Sequence, residues 1–123
     1  IALWKRMMDP RFSNLFFVAL VQPLCAMMPI AEEQAKFLAH YMTGHYARPP
    51  VEVMNAERIE MHVRSKAGYL ATPRHTIQIN CGEYTYDLRR ELGKGRKRAA
   101  AQGYVLPIEP RVIRPSPKQV AAE

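Results

Sequence analysis

The sequence predicts an α/β fold in which a buried strand leads through a short loop into a surface helix. The strand is indicated by a seven-residue apolar run, 15–21, whose Phe and Val content is typical of a strand buried on both faces of a parallel sheet. The helix is indicated by apolar residues that recur at helical spacing after Pro29, a residue that suits a first helical turn because it lacks an N–H group. Ligands of open α/β sheets bind at the carboxyl ends of the strands. The loop between the two elements is therefore the candidate binding site.

The first helix is predicted from residue 29 to about residue 43, and Gly44 is expected to end it. One broad face of this helix is apolar, and it comprises Ile30, Ala31, Ala35, Phe37, Leu38, Tyr41 and Met42. Gln34 falls in the middle of that face, and a buried amide must find hydrogen-bond partners. The favoured interpretation is that Gln34 ties the helix to the neighbouring loop, and the alternative is direct contact with a ligand. Glu32 and Glu33 are expected to complement the positive end of the helix.

Two further helices are predicted downstream. The second spans about 51–66 and has a weak apolar stripe. Residues 74–79 alternate enough to form a short strand or an extended arm. Asn80, followed three residues later by Glu83, is a helix-capping signal for the third helix, which is expected to stop at Gly93.

The net positive charge of the chain comes from its second half. Of the net charge of +7 over 123 residues, residues 1–61 contribute zero, and residues 62–123 contribute all seven from 12 basic and five acidic side chains. Residues 94–123 are basic and rich in Pro, so a disordered tail is expected. Basic runs at 89–98 and 111–118 leave a nucleic-acid-binding module as a distant alternative, which the absence of aromatic stacking residues from both runs disfavours.

Cysteine and histidine positions predict neither a disulfide framework nor a metal site. Cys25 and Cys81 are isolated, so both are expected to be free thiols in a reducing, cytoplasmic compartment. The four His residues are scattered, and no metal is expected. His75 is interpreted as making a structural hydrogen bond. The longest apolar stretch, 15–30, is too short and too interrupted for a membrane span.

The central stretch also resembles a known family. Residues 17–24, FVALVQPL, and 26–35, AMMPIAEEQA, resemble the segment near the carboxyl end of the flavin-containing monooxygenases, which reads F-I/V-G-L-V-Q-P-L-G-A-I-M-P and then I-S/A-E-x-Q-A/G-R. Residues 3–6, LWKR, and 74–78, RHTIQ, extend the resemblance, which covers about 2–93 in the same order. Three residues depart from the family pattern: Ala19 and Cys25 replace Gly, and Lys36 replaces Arg. Gly at such positions usually permits a positive φ or a close backbone approach.

The resemblance implies a fold and a division of the chain. Residues 1–44 would be the last strand, loop and helix of a Rossmann-like FAD-binding domain, 45–93 a helical carboxyl-terminal flap docked on it, and 94–123 the tail. The family carries two Gly-rich dinucleotide-binding turns upstream, and this sequence contains no G-x-G-x-x-G. The chain begins with Ile and has no earlier βα unit, so it is expected to begin part-way through a larger protein and to be inactive alone.

The resemblance also implies a chemistry. FAD reduced by NADPH would react with O₂ to form a C4a-hydroperoxide, which passes one oxygen atom to nitrogen or sulfur of a small organic substrate. Leu20, Val21, Gln22, Pro23 and Met28 would lie beside the flavin, with Gln22 nearest the isoalloxazine or ribityl chain. No catalytic residue is assigned. A Baeyer-Villiger ketone monooxygenase and a truncated, non-catalytic remnant are the alternatives that the sequence leaves open.

Overall fold

The computed structural model describes residues 2–68 and 77–108, which form three helices and a small parallel sheet. The order is β1 (Gln22–Pro23), α1 (Met27–Met42), α2 (Val51–Gly68), β2 (Gln78–Ile79) and α3 (Cys81–Ala101). The two strands run parallel, with Gln22 opposite Gln78 and Pro23 opposite Ile79. An α/β arrangement is therefore present, with far more helix than sheet.

The predicted strand at 15–21 is wrong for this chain. Phe16 makes one isolated antiparallel bridge with Met8, and regular pairing begins only at Gln22. Leu15 and Val18 are exposed, whereas Val21 is buried. A strand is buried on both faces only where helices or another layer cover both faces of its sheet. Within the described residues the sheet has just two strands of two residues each, so the segment has no such cover.

Helix α1 forms close to the predicted position. It begins at Met27, two residues before the predicted start, with Pro29 in its first turn. It ends at Met42, and Gly44 follows with a φ of +79°, which confirms the predicted stop. A Cβ on Gly44 would lie 2.9 Å from the carbonyl oxygen of Tyr104, so a side chain is excluded there by space as well as by conformation. Ala35 and Met42, expected on the buried face, are exposed.

An aromatic cluster forms the core beneath α1. Trp4, Phe37, Tyr41 and Tyr46 are each at most 2 % exposed. The rings of Phe37 and Tyr46 are 4.6 Å apart between centroids, and Trp4 meets Phe37 edge-on at 6.3 Å. Burial of these rings is the main source of stability, since large aromatic side chains remove the most apolar area from water.

Lys5 links the amino-terminal segment to α2 and α3. Its side chain is 6 % exposed, and its Nζ lies 2.8 Å from a carboxylate oxygen of Asp87 and 3.4 Å from one of Glu57. A buried ammonium is tolerated only when it is paired in this way. Trp4 adds a second tie, because its Nε1–H donates to Glu57 at 2.9 Å.

Helix α3 is longer than predicted. The side chain of Asn80 accepts from the N–H of Glu83 at 3.2 Å, which confirms the predicted cap. The predicted stop at Gly93 is wrong, because the helix continues through Gly95 to Ala101. The reason is a tertiary contact: Gly95 packs against the ring of Tyr46, and its carbonyl accepts from the N–H of Ala47 at 3.1 Å. The expected disordered tail is therefore wrong for 94–101, which are helical, and 109–123 lie outside the described residues.

The prediction of free thiols is also wrong, since Cys25 and Cys81 form a disulfide with a Cα–Cα distance of 6.3 Å. Spacing of 56 residues gave no sign of this pairing, because only the fold brings the two positions together. Arg74 and His75 lie outside the described residues. No helix in the described part of the chain is both long and apolar enough to cross a bilayer.

Candidate functional site

The five residues expected beside a flavin lie in β1, in the residues before it, and in the first turn of α1. Val21 is 4 % exposed, Leu20, Gln22 and Pro23 are half-buried, and Met28 is 76 % exposed. All five belong to one continuous chain segment that runs from the loop through β1 into α1. We call this segment the β1–α1 ledge (residues 20–28). Their contact with a flavin stays a prediction.

Gln22 has an unused hydrogen-bond acceptor. Its side-chain oxygen Oε1 is buried, and within the described residues it has no hydrogen-bond partner. A buried acceptor without a donor costs about 1–3 kcal/mol, so such a group calls for a partner. An N–H or O–H group of a ligand lying on the β1–α1 ledge would supply that donor.

The amino terminus of α1 offers further donors. Ala26 is the capping residue and has no side chain that can bond to the first N–H groups. The first turn contains no acidic residue. Glu32 and Glu33, expected to complement this end, lie beyond that turn and pair with Lys36 and Arg89 instead. The positive end of the helix is therefore left without a compensating carboxylate, and it favours a negatively charged or electron-rich ligand.

A buried network fixes the loop that precedes the β1–α1 ledge. Gln34 is completely buried, and its Oε1 accepts from the N–H of Ala19 at 2.8 Å. Its Nε2 donates to the hydroxyl of Tyr84 at 2.7 Å, and that hydroxyl donates to the carbonyl oxygen of Lys5 at 2.8 Å. The favoured interpretation of Gln34, that it ties α1 to the neighbouring loop, is confirmed. Burial raises the pKa of Tyr84, so this hydroxyl stays protonated and can donate.

The backbone conformation at Ala19 accounts for the Gly that the family pattern commonly has at this position. Its φ is +61°, in the left-handed region that L-residues adopt at a cost and that Gly adopts freely. A Gly at this position would satisfy the same turn without strain. Cys25 does not have a positive φ, so the backbone does not require Gly at this position. The Cys that replaces Gly there forms the disulfide with Cys81.

Sequence reasoning missed the contributions of Tyr84, Lys5 and Cys81 to this region. The hydroxyl of Tyr84 joins α3 to Gln34 of α1 and to the carbonyl of Lys5. A Tyr rather than Phe or Leu on an otherwise buried helix face was the one available signal. The carbonyl of Lys5 could not be anticipated, because backbone groups carry no sequence signature.

A second concave region lies elsewhere. This cleft of about 620 Å³ is lined by residues of α2 and α3 together with β2 and Arg6, and it includes none of the five residues predicted to bind flavin. Arg6 donates to the hydroxyl of Ser65 at 2.6 Å within it. Across residues 2–68 and 77–108, no group of three His, Cys, Asp or Glu side chains could hold a metal ion. The absence of a metal in the complete protein stays a prediction.

Comparison with known proteins places these residues in a family. The model of the flavin-binding monooxygenase-like family matches residues 1–98. Flavin-containing monooxygenase 5 of Homo sapiens is 33 % identical over 86 residues, and that of Oryctolagus cuniculus is 31 % identical over 86 residues. Each match covers 68 % of this chain and 16 % of the relative. The chain therefore spans about one sixth of the length of the relatives that it matches.

Proposed function

Because this chain belongs to the flavin-binding monooxygenase-like family, we propose that it is the carboxyl-terminal part of an FAD- and NADPH-dependent monooxygenase. The complete protein would transfer one atom of O₂ to a nitrogen or sulfur atom of a small organic substrate. The family match over residues 1–98 supports the flavin-dependent class. The choice of NADPH and of a soft nucleophile rests on the resemblance of residues 17–35 to the flavin-containing monooxygenases.

The observation that carries the proposal is the unpaired oxygen of Gln22 beside the uncapped end of α1. A flavin has an imide N–H and ribityl hydroxyls that can donate to such an oxygen, and its reduced ring carries negative charge. Gln22 would orient the cofactor, and the free N–H groups at the start of α1 would favour the anionic form. The backbone of Leu20 and Val21 and the side chains of Pro23 and Met28 would complete the contact and exclude water.

The cofactor would supply the redox chemistry: when bound, a flavin accepts a hydride from NADPH and activates O₂. The residues of this chain would position it and would not take part in bond making. A rigid support is needed for that role, and the hydrogen bonds from Gln34 to Ala19 and Tyr84 provide it.

The exposed apolar side chains support a larger domain. Leu15 and Val18, which precede β1, and Leu24, which follows it, are between 42 % and 67 % exposed. In a Rossmann-like FAD-binding domain, other strands and helices would cover this stretch, and α2 and α3 would form the flap. The proposal includes a cytoplasmic location, because the NADPH that the reaction consumes is maintained there.

Flavin binding by the complete protein is the decisive test. We expect the purified protein to contain FAD and to oxidise NADPH in the presence of O₂. In Gln22→Ala, loss of one hydrogen bond should weaken flavin binding by about 2- to 10-fold. Gln102→Ala is the matched control, since Gln102 is exposed at the end of α3, and it should leave flavin binding unchanged. A complete protein without flavin and without NADPH oxidation would contradict the proposal and favour the non-catalytic remnant.

Substrate assays separate the remaining alternative. Turnover of an organic sulfide or tertiary amine supports heteroatom oxidation, whereas turnover of a ketone to an ester supports a Baeyer-Villiger monooxygenase. NADPH consumption alone does not distinguish them, so the oxygenated product must be identified by mass spectrometry with ¹⁸O₂.

A further inference from the structure

We propose that the Cys25–Cys81 disulfide is a reversible thiol–disulfide exchange site for low-molecular-weight thiols of the glutathione type, with Cys25 as the sulfur under attack. The proposal goes beyond the oxygenation chemistry, and it does not require that the chain bind a flavin. It rests on the place of the bond next to the sheet, on the different exposure of the two cysteine residues, and on the helix at which Cys81 lies.

The disulfide joins the ends of the two parallel strands. Cys25 follows the last residue of β1, Pro23, by two positions, and Cys81 follows the last residue of β2, Ile79, by two positions. Between them, the N–H of Leu24 donates to the carbonyl of Ile79 at 3.4 Å. The bond therefore extends a very short sheet, and it joins a residue within the β1–α1 ledge, Cys25, to the start of α3.

The two sulfurs are not equivalent to an incoming thiol. Cys25 is an exposed residue, whereas Cys81 is half-buried and packs against the core. Exchange requires a thiolate to reach one sulfur of the disulfide in line with the bond. Solvent access therefore favours attack on Cys25.

The position of Cys81 suits a leaving group. It is the first residue of the 21-residue helix α3, where free N–H groups and the positive end of the helix stabilise a thiolate. Glu83 lies in the same turn and opposes this effect, but it is exposed and its charge is screened by solvent. A leaving thiolate that is stabilised by its surroundings departs faster, so the position at the start of α3 favours release of Cys81.

The reaction balances in two steps. A thiolate attacks Cys25 Sγ, the bond between Cys25 and Cys81 breaks, and its electron pair stays on Cys81 Sγ as a thiolate. A second small thiolate then attacks the small-thiol sulfur of this mixed disulfide, the bond to Cys25 Sγ breaks, and the products are the Cys25 thiolate and an oxidised dimer of the small thiol. Two electrons pass from two small thiols to the protein disulfide, and water or buffer supplies the two protons that the cysteines take up.

Reduction should loosen the β1–α1 ledge around Cys25 and leave its start, next to Ala19, fixed. Without the bond, β1 and β2 are held by the pairing of two residues each and by the hydrogen bond from Leu24 to Ile79. The hydrogen bonds of Gln34 to Ala19 and Tyr84 do not depend on the disulfide. If the proposed function holds, the disulfide is a redox-sensitive link next to the flavin. This statement about the flavin is the one part of the inference that rests on the proposed function. Disulfides are rare in cytosolic proteins and are usually redox-active there.

The test uses the full 123-residue chain in glutathione buffers of increasing reduced-to-oxidised ratio, with acid quenching, alkylation and peptide mass spectrometry. We expect the oxidised fraction to fall from above nine tenths to below one tenth while circular dichroism shows a folded chain. The mixed disulfide trapped early should map to Cys25 at least fivefold more often than to Cys81.

A single variant and the contrary outcomes complete the test. Cys81→Ser, which cannot close the disulfide, should keep the mixed disulfide on Cys25, and if this variant does not fold, mapping in the unsubstituted chain decides. A disulfide that stays oxidised in a hundredfold excess of reduced glutathione, or a mixed disulfide found equally or mainly on Cys81, overturns the proposal. The readout involves no flavin, so failure of the proposed function would leave it unaffected.

Discussion

The side-chain oxygen of Gln34 accepts a hydrogen bond from the backbone N–H of Ala19 at 2.8 Å, across 15 residues of chain. The same side chain donates to Tyr84, which in turn donates to the carbonyl of Lys5. The loop that precedes β1 is thereby held in place by side-chain hydrogen bonds instead of by pairing with neighbouring strands. Because Gln34 and Tyr84 are buried, loss of the hydrogen bonds of either side chain should lower the free energy of unfolding measurably.

The left-handed conformation of Ala19 predicts that Ala19→Gly stabilises the chain. Gly adopts a φ of +61° without the clash that a Cβ causes, and the gain should be about 0.5–1 kcal/mol after the extra entropy of an unfolded Gly is subtracted. Ala35→Gly is the matched control, since Ala35 is exposed within α1 and should lose about 0.5–1 kcal/mol. Urea unfolding measures both. Destabilisation of both variants alike would show that Ala19 is not strained.

Replacement of Gln34 by Met, which has a similar volume, should lower the free energy of unfolding by about 1–3 kcal/mol. The N–H of Ala19 loses its acceptor in this variant, and the buried hydroxyl of Tyr84 loses a donor. Tyr84→Phe should cost a similar amount, because the carbonyl of Lys5 loses its donor. The double variant should lose at least about 0.5 kcal/mol less than the sum, since the two side chains share one hydrogen bond. Strict additivity would mean that the network does not act as a unit.

Features determined by short-range signals were predictable from the sequence. Helix α1 follows from apolar periodicity, and the start of α3 follows from the side chain of Asn80, which bonds to the N–H three residues ahead. Gln34 was recognised as a tie to the loop because an amide on an apolar face must be satisfied. The position of the β1–α1 ledge at the start of α1 followed from the same local pattern.

Features that depend on distant parts of the chain were not predictable. The run 15–21 has the composition of a buried strand, but burial is decided by neighbours that the sequence of the run does not contain. Gly93 looked like a helix stop, and α3 passes it because Gly95 packs on Tyr46. The Cys25–Cys81 pairing likewise arises only when β1 and β2 lie side by side.

The contact between Gly95 and Tyr46 predicts opposite effects for two similar substitutions. A Cβ on Gly95 would lie 1.9 Å from a ring carbon of Tyr46, so Gly95→Ala must displace the ring and should cost about 1–3 kcal/mol or more. Gly93→Ala meets nothing within 4 Å and should stabilise α3 by about 0.5–1 kcal/mol. Thermal unfolding of the two variants tests this. Equal gains in both would show that Tyr46 does not pack against Gly95.

The pair of Glu33 and Arg89 predicts a pH dependence of stability. Hydrogen bonds from Arg89 lower the pKa of Glu33 below its usual value of 4.5, so the folded chain binds this proton less tightly than the unfolded chain. Stability from the pair is therefore present above the unfolded pKa and is lost as pH falls through the lowered one. At pH 7, Glu33→Gln should cost less than about 1 kcal/mol, because Arg89 is exposed.

The measurement for this pair is the difference in unfolding free energy between the parent chain and Glu33→Gln from pH 7 to pH 3. The difference should shrink as pH falls below 4.5, whereas Glu32→Gln, which removes an exposed partner of Lys36, should show a smaller difference throughout. A difference that does not change with pH would exclude an ionised Glu33 as its source.

We expect removal of the disulfide to lower the free energy of unfolding by more than the loss of any single hydrogen bond does. The bond closes a loop across 56 residues, and restriction of the unfolded chain by a loop of this size stabilises the fold by about 2–4 kcal/mol. Cys25→Ser/Cys81→Ser should therefore show a lower urea midpoint, and dithiothreitol should lower that of the parent chain by a similar amount but leave the double variant unchanged. Because α1 and α3 are also joined by Gln34 and Tyr84, the double variant should remain folded at 25 °C. If the parent chain is equally stable with and without reductant, the two sulfurs are not bonded in solution, and the assignment of the Cys25–Cys81 pair fails.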